Sequence, residues 1–186
     1  MPDSLLVPVV PGTACYLFIQ FIGFLGTGLY FASFQCRENK NLFRVQFFSY
    51  LFYTVHLLLL GAVTGGISYM INCLRSYCLA SSWKFARGNG MCAVLCAMQL
   101  AVLGLTWCGW ISLLPVVANI ASTIGGYTKN PQKVRIAGMF INSPLWIVYN
   151  VIVDSWAGIV DEIVSEASMI ISIMRFGWKN LDKVEE

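Results

Sequence analysis

The sequence predicts an all-α integral membrane protein: seven transmembrane helices in two parallel three-helix bundles joined by a linker helix, a 3+1+3 plan. Three observations carry this. Apolar residues make up 58% of the 186 residues and charged residues 11%, with a mean hydropathy of +0.69. A soluble domain carries roughly 25% charged residues and uses them to cover its wet surface. The apolar residues fall into runs near the length of about 20 that spans a bilayer. The basic residues sit in or beside alternate connections between those runs.

The first twelve residues, with Asp3, Pro8 and Pro11, lack the basic start of a secretory signal and are expected to form an extracytoplasmic tail. The first run is Thr13 to Phe34, and its Gly23, Gly26 and Gly28 suggest close helix packing. A basic stretch with Arg37, Lys40 and Arg44 leads to the second run, Val45 to Leu60. A neutral turn at Gly61–Gly65 precedes the third, about Gly66 to Leu79. Residues 13–80 thus form a first three-helix repeat. Ser81–Gly90 reads as a loop, and the fourth run is Met91 to Trp107. Residues 81–108 are the loop and linker helix. The fifth run is Trp110 to Tyr127, followed by the basic loop Thr128–Arg135, which contains Pro131-Gln132. The sixth runs from about Ile136 to Val153; a short turn at Asp154–Ser155 leads to the seventh, Trp156 to Phe176. Residues 109–177 form the second repeat, and 178–186 a C-terminal tail.

All twelve basic residues lie in or beside the first, third and fifth connections or the C-terminal tail. With seven helices those segments share one side. The positive-inside tendency makes that side cytoplasmic, with the N-terminus outside. Six or eight helices would scatter the basic residues over both faces. Trp83 and Trp178 fall at cytoplasmic helix ends, and Trp107, Trp110 and Trp156 at external ends, as an interfacial aromatic belt requires. Trp146 lies inside its run.

An offset of 93 places Lys40 on Lys133, Phe47 on Phe140, Val55 on Val148 and Gly65 on Gly158 without a gap. Arg75 and Arg175 end their runs 100 apart, so the seventh helix is expected to be up to two turns longer than the third. Parallel three-helix repeats meeting at a midplane site are one transporter plan.

Ionisable and polar groups at membrane depth are costly and mark candidate sites. His56, the only histidine, is either satisfied by a backbone or hydroxyl partner or a substrate or proton ligand. Asp161, Glu162 and Glu166 fall within six residues of the seventh run. At 1.5 Å per residue Glu162 is about 9 Å and Glu166 about 15 Å from its external end. Such carboxyls line a wet cavity, pair with a cation or are protonated. Otherwise the helix starts later, and Asp161 and Glu162 sit at the interface. Tyr53 and His56 correspond to Trp146 and Tyr149 at the 93 offset, and facing pairs could stack on a ring; ordinary packing is the alternative. Asn72, Asn142 and Asn150 add hydrogen-bonding capacity, while Arg75, Lys84 and Arg87 read as topology signals.

The seven cysteines are odd in number and lie mostly in apolar runs, so they read as apolar fillers rather than a disulfide framework. Cys92 and Cys96 share a face without further ligands in range, so no metal is expected. No enzyme signature occurs, no cofactor is implied, and the net charge of +3 is topological and suggests no nucleic-acid partner. The lipid bilayer is the expected partner, with a homo-oligomer left open.

The run His56-Leu-Leu-Leu-Leu-Gly61, then Asn72-x-x-Arg75, Leu113-Leu-Pro115-Val-Val with Ser122-Thr123, and Glu162 and Arg175 resemble the YgjV family of bacterial inner-membrane proteins over about residues 15–180. That resemblance implies a multi-pass inner-membrane location. It is distantly similar to the PQ-loop/SWEET group of 3+1+3 carriers, which kink helices at prolines in both repeats. Pro115 and Pro144 supply such hinge candidates in the second repeat only; the first has Ile22 and Leu51 there. The leading reading is a small-molecule carrier for a sugar-like, nucleoside-like or other small polar substrate, with proton coupling through His56, Asp161, Glu162 or Glu166. Its site would comprise Tyr53, His56, Asn72, Trp146, Tyr149, Asn150, Glu162 and Glu166. The alternative is a non-transporting module: a partner subunit, receptor or lipid-binding protein.

Overall fold

The structure, a computed structural model, describes residues 12–179 and Leu181. The N-terminal tail other than Gly12, and most of the C-terminal tail, lie outside the described residues.

The first run forms α1 (Thr13–Phe34), the second α2 (Asn39–Leu59), the third α3 (Val63–Ala80) and the fourth α4 (Asn89–Leu105). A 3₁₀ turn (Trp110–Ser112) leads into α5 (Leu113–Tyr127). The sixth run is one rod in three pieces: α6 (Pro131–Ala137), a π segment (Gly138–Asn142) and α7 (Ser143–Ile152). The seventh is α8 (Trp156–Phe176). Among the described residues, three spans have the length and apolarity to cross a membrane: Ala14–Phe34, Asn39–Leu59 and Trp110–Tyr127; Asn89–Leu105 is apolar but shorter.

Two helices begin more than a turn before their apolar runs. α2 starts at Asn39 rather than Val45, because Leu42 and Phe43 are buried and Glu38 Oε2 accepts from Asn41 Nδ2 at 3.2 Å. α6 starts at Pro131 rather than Ile136. Asn130 Oδ1 caps it by accepting from the N–H groups of Gln132 and Lys133 at 2.9 and 3.0 Å, and Pro131 sits where no N–H is needed. Hydropathy marks the apolar run; burial of Leu42 and Phe43 in α2, and the Asn130 cap in α6, mark where the helix begins. α8 has 21 residues and α3 18, less than one turn of difference rather than two.

The hairpin turns repeat. At the end of α2, Gly61 has φ +77°, Ala62 N–H donates to Leu57 O at 2.9 Å and Gly61 N–H to Leu58 O at 3.0 Å, a Schellman cap. At the end of α7, Asp154 has φ +54°, with Ser155 N–H to Asn150 O at 2.9 Å and Asp154 N–H to Val151 O at 3.4 Å. The two caps are 93 residues apart, as the sequence offset requires.

α2 packs between α1 and α3, and the α6–α7 rod packs against both α5 and α8. α1 meets α8, α3 meets α5, and α4 lies against α3 and α5. Both seams are parallel. Along α1 and α8, Tyr16 Oη donates to Asp154 O at 2.9 Å, Ala157 N–H to Gln20 Oε1 at 2.9 Å and Gln35 Nε2 to Ser168 Oγ at 2.9 Å. Along α3 and α5, Asn72 bonds Asn119 at 2.8 Å and, further along both helices, Gly126 packs against Leu79, while Thr64 at the start of α3 hydrogen-bonds Thr106 just after α4 at 2.9 Å. Gly23 and Gly26 admit His56 and Tyr53: a Cβ would come within 2.9 Å of His56 Nδ1 or 2.8 Å of the Tyr53 ring. Gly28 meets nothing and faces outward, so it is no packing position.

Candidate functional site

The interior is an aromatic column. Tyr69 of α3 stacks on Tyr53 of α2 at 5.2 Å between ring centroids and lies 4.5 Å from Trp146 of α7. Tyr50 lies 5.5 Å from both Tyr69 and Tyr30, and Trp146 meets Tyr149 edge to face at 5.3 Å. Tyr53 and Trp146 thus lie on either side of the Tyr69 ring and do not stack on each other.

His56 is fully buried and fully partnered. Its Nδ1 lies 2.8 Å from Ile19 O and its Nε2 2.8 Å from Ser155 Oγ. A carbonyl only accepts, so Nδ1 carries a proton and, in the neutral ring, Nε2 accepts from the Ser155 hydroxyl. Ser155 Oγ also accepts from Gly158 N–H at 3.1 Å, capping α8. The imidazole therefore ties α1 and α2 to the start of α8, and neither nitrogen is left for a substrate.

Asn72 Nδ2 donates to Asn119 Oδ1, which also accepts from Trp146 Nε1 at 3.3 Å. This node joins α3, α5 and α7. It leaves Asn72 Oδ1 and Asn119 Nδ2 buried without partners among the described residues. Tyr149 Oη accepts from Gly65 N–H at 3.0 Å at the start of α3. Asn150 packs its amide on Gly158, where a Cβ would collide with it. Asn142 Oδ1 accepts from Ser122 Oγ at 2.8 Å.

The carboxyls of α8 point inward. The helix begins at Trp156 and not later, and both side chains are buried in the protein, Asp161 2% and Glu162 1% exposed. Asp161 faces Tyr53 and Thr27, whose hydroxyls are 2.6 Å apart. Glu162 and Glu166 share Ser143 of the broken rod as a neighbour. Tyr30, Tyr50, Tyr53 and Tyr69 all lie within electrostatic reach of Asp161 and Glu162. Asp161 Oδ1, Glu162 Oε2 and Glu166 Oε1 have no hydrogen-bond partner among the described residues.

Arg75 is not simply a topology signal. It is 3% exposed, donates from Nη2 to Tyr50 Oη at 2.9 Å and lies 5.4 Å from that ring's centroid. Its Nε and Nη1 are buried without partners among the described residues. Pro115 lies in the first turn of α5, where a missing N–H breaks little, so it does not kink that helix. Pro144 is the second residue after the π segment, and Ser143 N–H between them donates to Gly138 O.

Two cavities open at opposite ends. One, of about 240 Å³, is walled by the α2–α3 turn (Leu60 to Thr64), Thr106, Ser112 and Tyr149. The other, of about 220 Å³, lies at the basic end and is lined by Glu38, Lys40, Phe43, Leu79, Arg87 and Lys129 among others. Of the sequence candidates, Tyr53, Asn72, Trp146, Asp161 and Glu162 meet the aromatic column or its border. His56 and Asn150 serve helix contacts, and Tyr149 walls the first cavity. Sequence reasoning passed over Asn119, although an amide within an apolar run is the same signal as Asn72. It also passed over Tyr69, whose role depends on its seat between two distant helices.

Residues 17–180 match the Imp-YgjV family, described as a bacterial inner membrane protein, and the chain belongs to that family. No curated protein and no solved structure matches it.

Proposed function

We propose that the chain is a small-molecule carrier built on the 3+1+3 plan. α1–α3 form one three-helix unit, α5–α8 the other, and α4 the linker. The N-terminus is outside and the C-terminus cytoplasmic. The two parallel seams, the matched turns 93 residues apart and the gathering of basic residues at one end support this arrangement.

The observation that carries the reading is the buried pair Asp161 and Glu162. They face tyrosine hydroxyls from α1, α2 and α3, between cavities open at opposite ends. Ionisable groups that face a bundle interior mark substrate or ion pathways. Asp161, Glu162 and Glu166 carry the proton coupling, and His56 holds helices rather than protons. Asn72 Oδ1, Asn119 Nδ2 and the aromatic rings offer hydrogen bonds and a stacking face to a small polar ring such as a sugar or nucleoside. In this closed arrangement Tyr69 fills the space between Tyr53 and Trp146, so a ring-shaped ligand enters as Tyr69 leaves.

The test is thermal stability of the purified protein against sugars, nucleosides and organic acids at two pH values. A ligand far above its Kd raises stability by mass action. A selective, pH-dependent shift that disappears in Asp161→Asn and Glu162→Gln, with uptake into vesicles lost in the same variants, is expected. Silence across the panel from a well-folded sample overturns the reading. The second reading, a non-transporting membrane module, is favoured by one observation: His56 and Tyr149 engage their polar atoms in helix contacts. Silence in the panel with a co-purifying partner selects it.

A further inference from the structure

We propose that the cavity at the basic end binds a phosphate group, carried either by a lipid headgroup or by a soluble phosphate monoester. The inference is independent of the carrier reading. Lys40, Arg87 and Lys129 converge on the cavity from three places: the first turn of α2, the loop before α4 and the end of α5. The one carboxylate in the lining, Glu38, accepts from Asn41. Three cations and one carboxylate leave a local charge near +2, which complements a phosphate monoester of about −1.5 to −2 at neutral pH better than a single carboxylate.

Two features indicate a built site. Arg87 Nε is buried without a hydrogen-bond partner among the described residues, a donor held out of water for something else to accept from. Lys129 has φ +56°, the left-handed region that a side chain with a Cβ adopts only against steric strain. Glycine would end α5 there without strain, so the position retains a charged side chain against its backbone preference. The loop is fixed in place: Tyr127 Oη donates to Ala86 O at 2.9 Å, fastening the residue before Arg87 to the last turn of α5. Gly126 lets α5 close on α3, since a Cβ would lie 2.8 Å from Leu79 Cδ1.

The loop that lends Arg87 to the cavity also exposes Trp83 and Phe85, 71% and 78% accessible. Tryptophan at a helix end favours the headgroup layer, and basic pockets at that level take anionic headgroups. Arg75 lies one turn deeper than Leu79 on the same face of α3, so positive charge continues inward from the cavity.

The experiment uses the full chain in phosphatidylcholine nanodiscs at constant ionic strength. One arm titrates inorganic phosphate and glycerol 3-phosphate; the other incorporates phosphatidic acid with no free phosphate. A saturable rise in Tm in the first arm identifies a soluble source, and a rise in the second alone identifies a headgroup. In Arg87→Gln and Lys129→Gly the apparent affinity falls roughly tenfold or more, as loss of a charge-assisted hydrogen bond implies. Lys129→Gly relieves backbone strain and keeps the fold, so its loss of binding is not loss of structure. No rise in either arm, or an equal rise in wild type and both variants, overturns the proposal.

Discussion

The hairpin α2–α3 and the hairpin α6–α8 follow one plan with different backbones. Their turns match at an offset of 93, and each rod carries an aromatic residue into the central column, Tyr53 in one and Trp146 in the other. α2 is an uninterrupted α-helix of 21 residues. Its counterpart is broken by five π residues and Pro144. Proline lacks the N–H that would bond the carbonyl four residues back, and its ring crowds that carbonyl. The π segment just before it widens the helix and gives the backbone another route, from Ser143 N–H to Gly138 O. The broken rod presents Ser143 to Glu162 and Glu166, whereas the regular rod presents Tyr53 to Asp161. The repeat thus supplies two similar frames, with its irregularity concentrated beside the carboxyls in one of them.

The strongest way to break this comparison is to exchange the residues that create it. Leu51 is the repeat partner of Pro144 and lies on the outer face of α2. Leu51→Pro is expected to cost about 3 kcal/mol or more, because nothing in α2 accommodates a missing N–H. Pro144→Leu should change stability by less than about 1 kcal/mol, since an N–H there has a carbonyl available. Thermal unfolding in detergent checks both, and equal losses would mean the π segment does not absorb the proline.

The packing glycines come next. Gly66 lies against Leu58, and Gly158 against Asn150, a pairing repeated at an offset of 92. A Cβ at Gly66 meets a mobile leucine end 2.7 Å away, but at Gly158 it meets the whole buried amide of Asn150. Gly158→Ala is expected to cost about 2–3 kcal/mol and Gly66→Ala about 1 kcal/mol, in the range of core overpacking. Unfolding midpoints of the two variants give the order directly.

His56 and Tyr149 occupy equivalent places, yet His56 closes the α1–α8 seam and Tyr149 reaches Gly65 of the other hairpin. His56→Ala removes packing and leaves the Ser155 hydroxyl without its acceptor, for about 2 kcal/mol, while Tyr149→Phe loses one hydrogen bond, for about 1 kcal/mol. If His56→Ala unfolds no more easily than Tyr149→Phe, the histidine is not the seam's fastener.

The sequence announced much of this frame for identifiable reasons. Apolar runs showed where the long helices lie, and Gly61 and Asp154–Ser155 showed where they turn. The helix starts at Asn39 and Pro131 were obscured because polar residues there are helical outside the apolar core. The inward carboxyls were legible from cost alone. The seat of Tyr69 was not, because it depends on how α3 is rotated between two rods distant in sequence. Arg75 looked like a boundary charge for the same reason: only the α2–α3 packing shows its guanidinium turned toward Tyr50.

The smallest expected effect is at the turns, where the two hairpins differ by one residue in the left-handed conformation. Gly61 adopts φ +77° without steric cost, and Asp154 adopts φ +54° against it. The Asp154 carbonyl accepts from Tyr16 at 2.9 Å and Gln20 at 3.3 Å, bonds that any residue at this position can keep. Asp154→Gly should therefore stabilise the protein by about 0.5–1 kcal/mol, and Gly61→Asp should destabilise it by a similar amount. Midpoints in a chemical or thermal melt should move in opposite directions. Loss of stability in Asp154→Gly would assign the aspartate side chain a role at the α1–α8 seam that the shared cap geometry does not require, and the two turns would no longer be equivalent.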